Sequence, residues 1–205
     1  LRPPALTSTE KVMSKKIVII NGHPNPNAFN FGIAAAYQEG AKLSGAEVRE
    51  ITIANLKFDP NLKFGYQKRM ELEPDLLHAW EDIKWADHLV WVHPVWWGGL
   101  PAITKGFIDR LFLPGMAFSY RENSVFWNKL LNGKTARIIT TLDQPGWYYW
   151  LFFGKPSINQ LKKSTLQFCG ISPVKTTPLG IIKTANANQR EKWLHKINRL
   201  GKRQA

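Results

Sequence analysis

Short segments rich in β-branched and other apolar residues alternate with longer, helix-like segments along almost the whole chain. The first, KKIVIIN at residues 15–21, is a continuous apolar run of the kind that forms a strand buried on both faces. The helix-like segments repeat apolar residues every three to four positions. The predicted strands lie at residues 15–21, 47–53, 88–94, 135–141 and 174–180, and the predicted helices at residues 28–45, 74–85, 102–112, 157–170 and 187–201.

This alternation predicts a parallel sheet covered by helices on both faces. Five strands in this rhythm fit an α/β, flavodoxin-like, doubly wound five-stranded parallel sheet of order 2-1-3-4-5, in a single domain over residues 15–201. Residues 1–14 lack the apolar core of a signal peptide and are predicted to be a leader or added tail, and residues 202–205 a frayed tail. Residues 54–73 are long for a loop, so this connection is either functional or locally structured.

The formal net charge of +13 raises the question of which negatively charged partners the protein binds. The basic residues are scattered and form no recognisable nucleic-acid-binding module, so we expect no nucleic acid and attribute the charge to solubility and to attraction for phosphate-bearing cofactors. The single cysteine, Cys169, allows neither an intramolecular disulfide nor a Cys-based zinc site, and we expect no metal. No apolar run approaches the length of a membrane span, and we expect a cytoplasmic protein.

Unusual residues gather where three of the predicted strands end. GHPNPNAFN (22–30) follows the first strand, HPVWWGGLP (93–101) ends and follows the third, and TTLDQPGWYY (140–149) ends and follows the fourth. In a doubly wound sheet, ligands bind beyond the carboxyl ends of the strands, at the switch point between strands one and three. The three segments are therefore predicted to meet in one site.

The first segment has the features of a phosphate-binding loop. Gly22 allows a ligand to approach the backbone closely, and the Asn-rich helix start that follows it favours anions. His23 is a candidate donor to a phosphate oxygen, although a turn histidine without a ligand gives the same pattern. The segment is not the G-x-G-x-x-G fingerprint of dinucleotide-binding folds.

The second segment carries two adjacent indoles, Trp96 and Trp97, followed by Gly98 and Gly99. The indoles either pack in the core or flank a flat aromatic ligand. The glycines would let main-chain amides approach the heteroatoms of such a ligand. An isoalloxazine ring requires this combination of an apolar surface and donors at its polar edge.

The third segment places Thr140 and Thr141 at the strand tip and continues to Trp147, Tyr148 and Tyr149. Tyrosine hydroxyls beside a flavin would donate to its carbonyl oxygens and stabilise the negative charge that develops when hydride arrives. An aromatic subunit interface is the alternative interpretation, and the two agree if the site lies between subunits.

With these segments in place, the chain resembles the flavodoxin-like NAD(P)H:quinone oxidoreductases, the relatives of DT-diaphorase. The resemblance rests on GHPNPNAFN, on residues 86–118, on the paired threonines and on FCGI at residues 168–171, and it spans residues 16 to about 193. It implies a flavin at the strand ends that is reduced by NAD(P)H and reoxidised by a quinone-like acceptor, in a two-electron ping-pong cycle. It also implies a homodimer with the flavin at the interface.

The same resemblance assigns roles to individual residues. It places a first group at the flavin phosphate (His23, Phe29 and Asn30), a second along the isoalloxazine (Pro94, Val95, Trp96, Trp97 and Gly98), and a third at the other edge of the ring (Thr140 and Thr141). Tyr148 falls where the family has a tyrosine near the flavin and the incoming hydride, and Tyr149 is expected to share its donor role. Arg190 opens the last helix where FAD-binding relatives keep a basic residue, which favours FAD, with FMN as the alternative.

The chain also departs from the family pattern, and two other functions remain open. Leu142 and Asp143 stand where many members have a Gly-Gly pair, and Gly154 stands where some have a histidine that forms a proton relay with the tyrosine. The first alternative function is a flavin-binding regulatory subunit of a membrane transporter of the potassium-efflux type. The second is a one-electron, flavodoxin-type carrier, which the positive charge and the long Trp- and Tyr-rich loops disfavour.

Overall fold

The computed structural model describes residues 14–204. The predicted leader therefore lies outside the described residues, apart from Ser14. At the other end, the last helix continues to Lys202, and Gln204 donates from its side chain to the Ser44 carbonyl at 2.9 Å. Among residues 14–204, no helix combines the length and apolar character that a membrane span needs.

Five parallel strands form the central sheet in the order β2-β1-β3-β6-β7, which confirms the predicted order 2-1-3-4-5. The edge strand β2 has only one buried residue, Ile51, whereas every residue of the central strand β3 is buried. This difference follows from position, since only a central strand is covered on both faces along its whole length. The strands are β1 (Lys16–Asn21), β2 (Glu47–Thr52), β3 (His88–Pro94), β6 (Thr135–Leu142) and β7 (Val174–Gly180).

Helices cover the two faces of the sheet and enclose two apolar cores. Helices α1 (Phe29–Leu43) and α6 (Ala187–Lys202) pack on one face, around Ile17, Ile19 and Val90. Helices α2 (Pro74–Trp85) and α3 (Ala102–Leu111) pack on the other face, around Trp91 and Phe107. The remaining helices are α4 (Gly146–Leu151) and α5 (Pro156–Asn159), which continues into a π-helical segment (Gln160–Gln167).

The long connection after β2 is anchored by a buried arginine. Ile53–Asn55 form a short 3₁₀ helix, and the loop that follows is held by Arg110 of α3. The Arg110 side chain is fully buried, pairs with Glu73 at 2.8 Å, and donates to the carbonyls of Asp59 at 2.5 Å and Glu71 at 2.8 Å. The loop is therefore locally structured, which is one of the two expectations for it.

The sequence interpretation missed a small antiparallel hairpin between α3 and β6. Its strands are β4 (Phe118–Tyr120) and β5 (Trp127–Lys129), and the hairpin lies outside the main sheet. The Trp127 indole stacks on Phe168 with 4.2 Å between ring centroids and donates to the Phe168 carbonyl at 2.9 Å. The stacked pair of Trp127 and Phe168 thus holds the hairpin in place, although its strands are too short to be recognised from the sequence.

Helices α1 and α6 approach each other closely at two glycines. A Cβ atom on Gly40 would overlap the backbone carbonyl of Asn198, and one on Gly201 would overlap the carbonyl of Tyr37. By contrast, a Cβ on Gly32, also in α1, would make an ordinary contact of 3.7 Å with the Leu194 side chain. The helix pair therefore depends on the missing side chains at Gly40 and Gly201.

We predict that Gly40→Ala lowers the free energy of unfolding by about 1–3 kcal/mol, because the methyl group forces backbone against backbone in a packed core. The matched control is Gly32→Ala in the same helix, which should raise stability by up to about 1 kcal/mol because alanine is the better helix former. Urea unfolding followed by fluorescence measures both. Equal effects of the two substitutions would contradict the described helix contact.

Candidate functional site

A cavity of about 210 Å³ lies at the carboxyl ends of β1, β3 and β6. The three unusual loops meet there, as the strand order requires. Eight of the thirteen candidate site residues line it: His23, Phe29, Asn30, Pro94, Val95, Trp96, Thr141 and Arg190. Trp97, Gly98, Thr140, Tyr148 and Tyr149 do not line the cavity.

The loop after β1 is shaped by side chains that cap its own backbone. The His23 amide donates to the Asn21 side chain at 3.1 Å, and the Asn25 amide donates to His23 Nδ1 at 3.0 Å. Because Nδ1 accepts this bond, the neutral ring carries its proton on Nε2. Burial lowers the pKa of His23 below its usual range, although the contact with the Asn25 amide opposes the shift. His23 is therefore neutral at pH 7 and offers one N–H donor.

The N-terminus of α1 is suited to an anion. The helix begins at Phe29 after Ala28, no side chain caps it, and no acidic residue lies in its first turn. Asn30 is buried; its Oδ1 accepts a bond from Thr141 Oγ1 at 3.2 Å, while its Nδ2 has no partner among residues 14–204. An unpaired buried donor costs about 1–3 kcal/mol, so its persistence indicates a missing acceptor.

The loop after β3 forms a tight turn closed by two hydrogen bonds between Trp96 and Gly99, at 2.8 and 3.2 Å. Trp97 (φ 50°) and Gly98 (φ 75°) at its tip adopt left-handed conformations. The Trp96 indole meets the His23 ring edge-on with 5.5 Å between centroids, which joins this loop to the first. Trp97 is completely exposed, so the two indoles do not enclose one ligand within this chain.

The two threonines of β6 point to opposite faces of the sheet, because side chains alternate along a strand. Thr141 faces the cavity. Thr140 is buried next to His93, its register partner on β3; the Thr140 hydroxyl and His93 Nε2 both lack partners among the described residues. Burial lowers the pKa of His93 to about 4, so this imidazole is neutral at pH 7.

Tyr149 has a structural position that the sequence did not reveal. It is buried in a small apolar cluster with Leu142, Ile158 and Val95. Its hydroxyl donates to the Gly98 carbonyl and accepts from the Ser157 amide, both at 3.0 Å. Tyr149 therefore ties α4 and α5 to the Trp96–Gly99 turn, and its hydroxyl has no free donor for a ligand.

Tyr148 differs from its neighbour. It is partly exposed and packs against aromatic rings of its own segment, with 4.8 Å to Phe152 and 5.6 Å to Phe153. Within residues 14–204 its hydroxyl makes no hydrogen bond, so it remains available to a ligand outside the cavity. Of the two tyrosines, only Tyr148 can act as a donor without breaking a structural contact.

A fourth segment, after β7, completes the site and was not singled out in the sequence. Ile182 lines the cavity, and the Lys183 amide donates to the Asp143 carboxylate at 2.9 Å. Arg190 in the first turn of α6 lies over the Phe29 ring, with 5.5 Å from its guanidinium carbon to the ring centroid. Arg190 Nε has no partner among the described residues, although an Nη donates to the Ile182 carbonyl at 3.4 Å.

The donors of this site fit a flavin nucleotide. The uncapped start of α1, Asn30 Nδ2, His23 Nε2 and the Arg190 guanidinium offer neutral and positive donors to phosphate oxygens. The amides of Trp97 and Gly98, which have no partner in the described part of the chain, suit the polar edge of a flat ring. Within residues 14–204, His, Cys, Asp and Glu side chains nowhere form a group of three that could hold a metal ion.

Comparison with known proteins assigns the class. A family model described as "Flavodoxin-like fold" matches residues 15–200, so the chain belongs to this family. A solved structure of Smu.1420 from Streptococcus mutans UA159 is similar, with a TM-score of 0.81 and 37% sequence identity, over 91% of this chain and 98% of the other.

Two curated relatives are named as NAD(P)H oxidoreductases. NAD(P)H dehydrogenase [quinone] 1 of Cavia porcellus is 28% identical over 182 residues, covering 76% of this chain. The chain spans 65% of that relative's length. The Escherichia coli K12 protein YcaK, named an uncharacterized NAD(P)H oxidoreductase, is 25% identical over 175 residues, covering 81% of this chain and 84% of its own.

Proposed function

We propose that this protein is a flavin-dependent NAD(P)H oxidoreductase that reduces quinones or related electrophiles by two electrons. The observation that carries this proposal is the pair of unpartnered donors, Asn30 Nδ2 and Arg190 Nε, at one cavity beside the Trp96–Gly99 turn. The names of the relatives from Cavia porcellus and Escherichia coli support the same reaction class. The potassium-efflux alternative finds no support among the relatives described above.

Different residues of the chain would bind different parts of the cofactor. His23, Asn30 and the start of α1 would bind a phosphate, and the Trp96–Gly99 turn would lie along the isoalloxazine ring. Arg190, at the end of the cavity beside Phe29, would contact the far end of the cofactor, and for this reason we propose FAD rather than FMN. Residues 15–201 then form one flavin-binding domain, which we place in the cytoplasm.

A bound flavin would supply the redox chemistry, which is the transfer of two electrons from NAD(P)H to the acceptor. A quinone gains two electrons and two protons and becomes a hydroquinone. Gly154, which has no side chain, cannot relay a proton to the acceptor. The hydride of NAD(P)H accounts for one of the two protons of the hydroquinone, and solvent supplies the other.

We predict that the purified protein is yellow, releases FAD and oxidises NAD(P)H when a quinone is added.

Arg190→Gln should weaken FAD binding about tenfold, since a charge-assisted hydrogen bond contributes about 1.5–3 kcal/mol, and should affect FMN binding less. The matched control is Arg199→Gln, an exposed arginine on the same helix. Mass spectrometry of the released flavin and fluorescence titration of the apoprotein measure these effects. A colourless protein that binds neither flavin would refute the proposal.

We also predict different roles for the two adjacent tyrosines. Tyr148→Phe should slow flavin reduction by NADPH about tenfold, less than the 10²–10³-fold typical of an oxyanion donor, because main-chain amides remain at the ring. Tyr149→Phe should instead lower the free energy of unfolding by about 1 kcal/mol, because it removes hydrogen bonds to Gly98 and Ser157. Stopped-flow absorbance and urea unfolding measure the two effects. Parental reduction rates in both variants would exclude tyrosine from the chemistry.

We propose a homodimer with the flavin at the interface. The hairpin tip exposes Tyr120, Val125 and Phe126, and the loop anchored by Arg110 exposes Phe64 and Tyr66. Apolar and aromatic side chains grouped in this way are typical of interface cores.

We predict a particle of twice the 23.4 kDa chain mass in light scattering at micromolar concentration. Val125→Ser combined with Phe126→Ser should shift it toward the monomer, whereas Leu43→Ser, an exposed leucine on α1, should not. A wild-type monomer with full activity would contradict the dimer.

A further inference from the structure

A segment just beyond the cavity exposes six large apolar side chains together. They follow Leu142, a cavity residue, by only a few positions, and each has between 36% and 65% of its surface exposed. We call this surface the aromatic face; it consists of Trp147, Tyr148, Trp150, Leu151, Phe152 and Phe153.

Helix α4 is anchored so that the side chains of the aromatic face point to solvent. Tyr149 is the one buried residue of α4, and its packing with Leu142 and Ile158 fixes the helix against the body of the protein. The outward rings also contact one another, since Tyr148 lies 5.8 Å from Trp147 and 4.8 Å from Phe152. Exposed apolar patches of this kind mark binding sites.

The segment that carries the aromatic face and the segment that follows it are basic and lack acidic residues. Residues 144–170 contain no Asp or Glu, and their basic residues are Lys155, Lys162 and Lys163. Lys155 ends the segment and lies over the Trp150 ring, 5.6 Å from its centroid. A partner of this face must accept apolar rings and at the same time offer negative charge.

We propose that the aromatic face docks on the surface of a bilayer that contains anionic lipid. Tryptophan and other large apolar side chains enter the boundary between headgroups and acyl chains, and nearby lysines contact anionic headgroups. A second copy of this chain fits the face less well, because an isologous contact would bring two basic surfaces together. No part of this proposal requires a membrane span.

Docking on a bilayer would also determine which quinones reach the site. This part of the inference rests on the proposed quinone reductase function. Quinones with long isoprenoid chains are dissolved in the bilayer rather than in water. Because the aromatic face adjoins the cavity in sequence and packing, docking would bring the opening of the site to the membrane surface. The inferred substrate class is therefore a lipophilic quinone that stays in the bilayer during reduction.

The first test is sedimentation of the full chain with phosphatidylcholine vesicles, with and without phosphatidylglycerol. We expect binding to the anionic vesicles, weakened when salt is raised to about 0.5 M, because salt screens the lysine contacts. Trp150→Ser combined with Leu151→Ser should reduce this binding about tenfold. The matched control is Leu43→Ser combined with Leu77→Ser, two exposed leucines outside the face, which should bind as the parent does.

Three results would overturn the proposal: no binding to anionic vesicles, equal binding by the Trp150/Leu151 variant and the parent, or dissociation of a dimer by the Trp150/Leu151 variant in light scattering. The last result would assign the face to a second copy of the chain.

A second test separates this inference from the proposed function. The Trp150/Leu151 variant should reduce a short-chain, water-soluble quinone at the parental rate but reduce decyl-benzoquinone held in anionic vesicles about tenfold more slowly. Equal rates for both enzymes on the vesicle-held quinone would overturn the link between docking and substrate. If the parent reduces neither quinone, the proposed function fails, whereas vesicle binding still tests the docking surface.

Discussion

The parallel hydrogen bonding between β1 and β3 is the constraint on which the rest of the structure depends. The chain leaves β1 towards one face of the sheet, through α1, and leaves β3 towards the other, through α3, so a crevice opens where the two connections diverge. The Gly22 amide continues the strand pairing to the Val92 carbonyl at 2.8 Å, and the Thr104 hydroxyl donates to the Gly22 carbonyl at 2.9 Å. A Cβ atom at position 22 would overlap the Thr104 side chain, so this position requires glycine.

Much of this arrangement could be predicted from the sequence because its signals are local. Buried parallel strands are continuous apolar runs, and their carboxyl ends share one edge of the sheet, which is why the loops after β1, β3 and β6 could be placed together. Ile182 could have been found by the same rule, since it follows the end of β7. The hairpin of β4 and β5 could not, because three-residue strands have no readable alternation.

Where the structure separates site residues that look alike in sequence, the physical cause is the direction of a side chain. Thr140 and Thr141 look equivalent in sequence, but strand alternation sends only Thr141 to the cavity. Tyr148 and Tyr149 look equivalent as well, but tertiary packing buries Tyr149 against Leu142. Neighbouring residues in a sequence can thus have opposite environments, and only the packed structure distinguishes them.

The close crossing of α1 and α6 has a consequence for the width of the cavity. Gly40 lies ten residues beyond Asn30 on α1, and Gly201 lies eleven residues beyond Arg190 on α6, so the crossing is about 15 Å from the residues that would bind the cofactor. The same two helices also contact each other nearer the cavity, where the rings of Phe29 and Trp193 lie 6.2 Å apart between centroids. A change of side-chain bulk at the glycine crossing would shift one helix relative to the other, and it would thereby change the distance between Asn30 and Arg190 without altering any residue that contacts a cofactor.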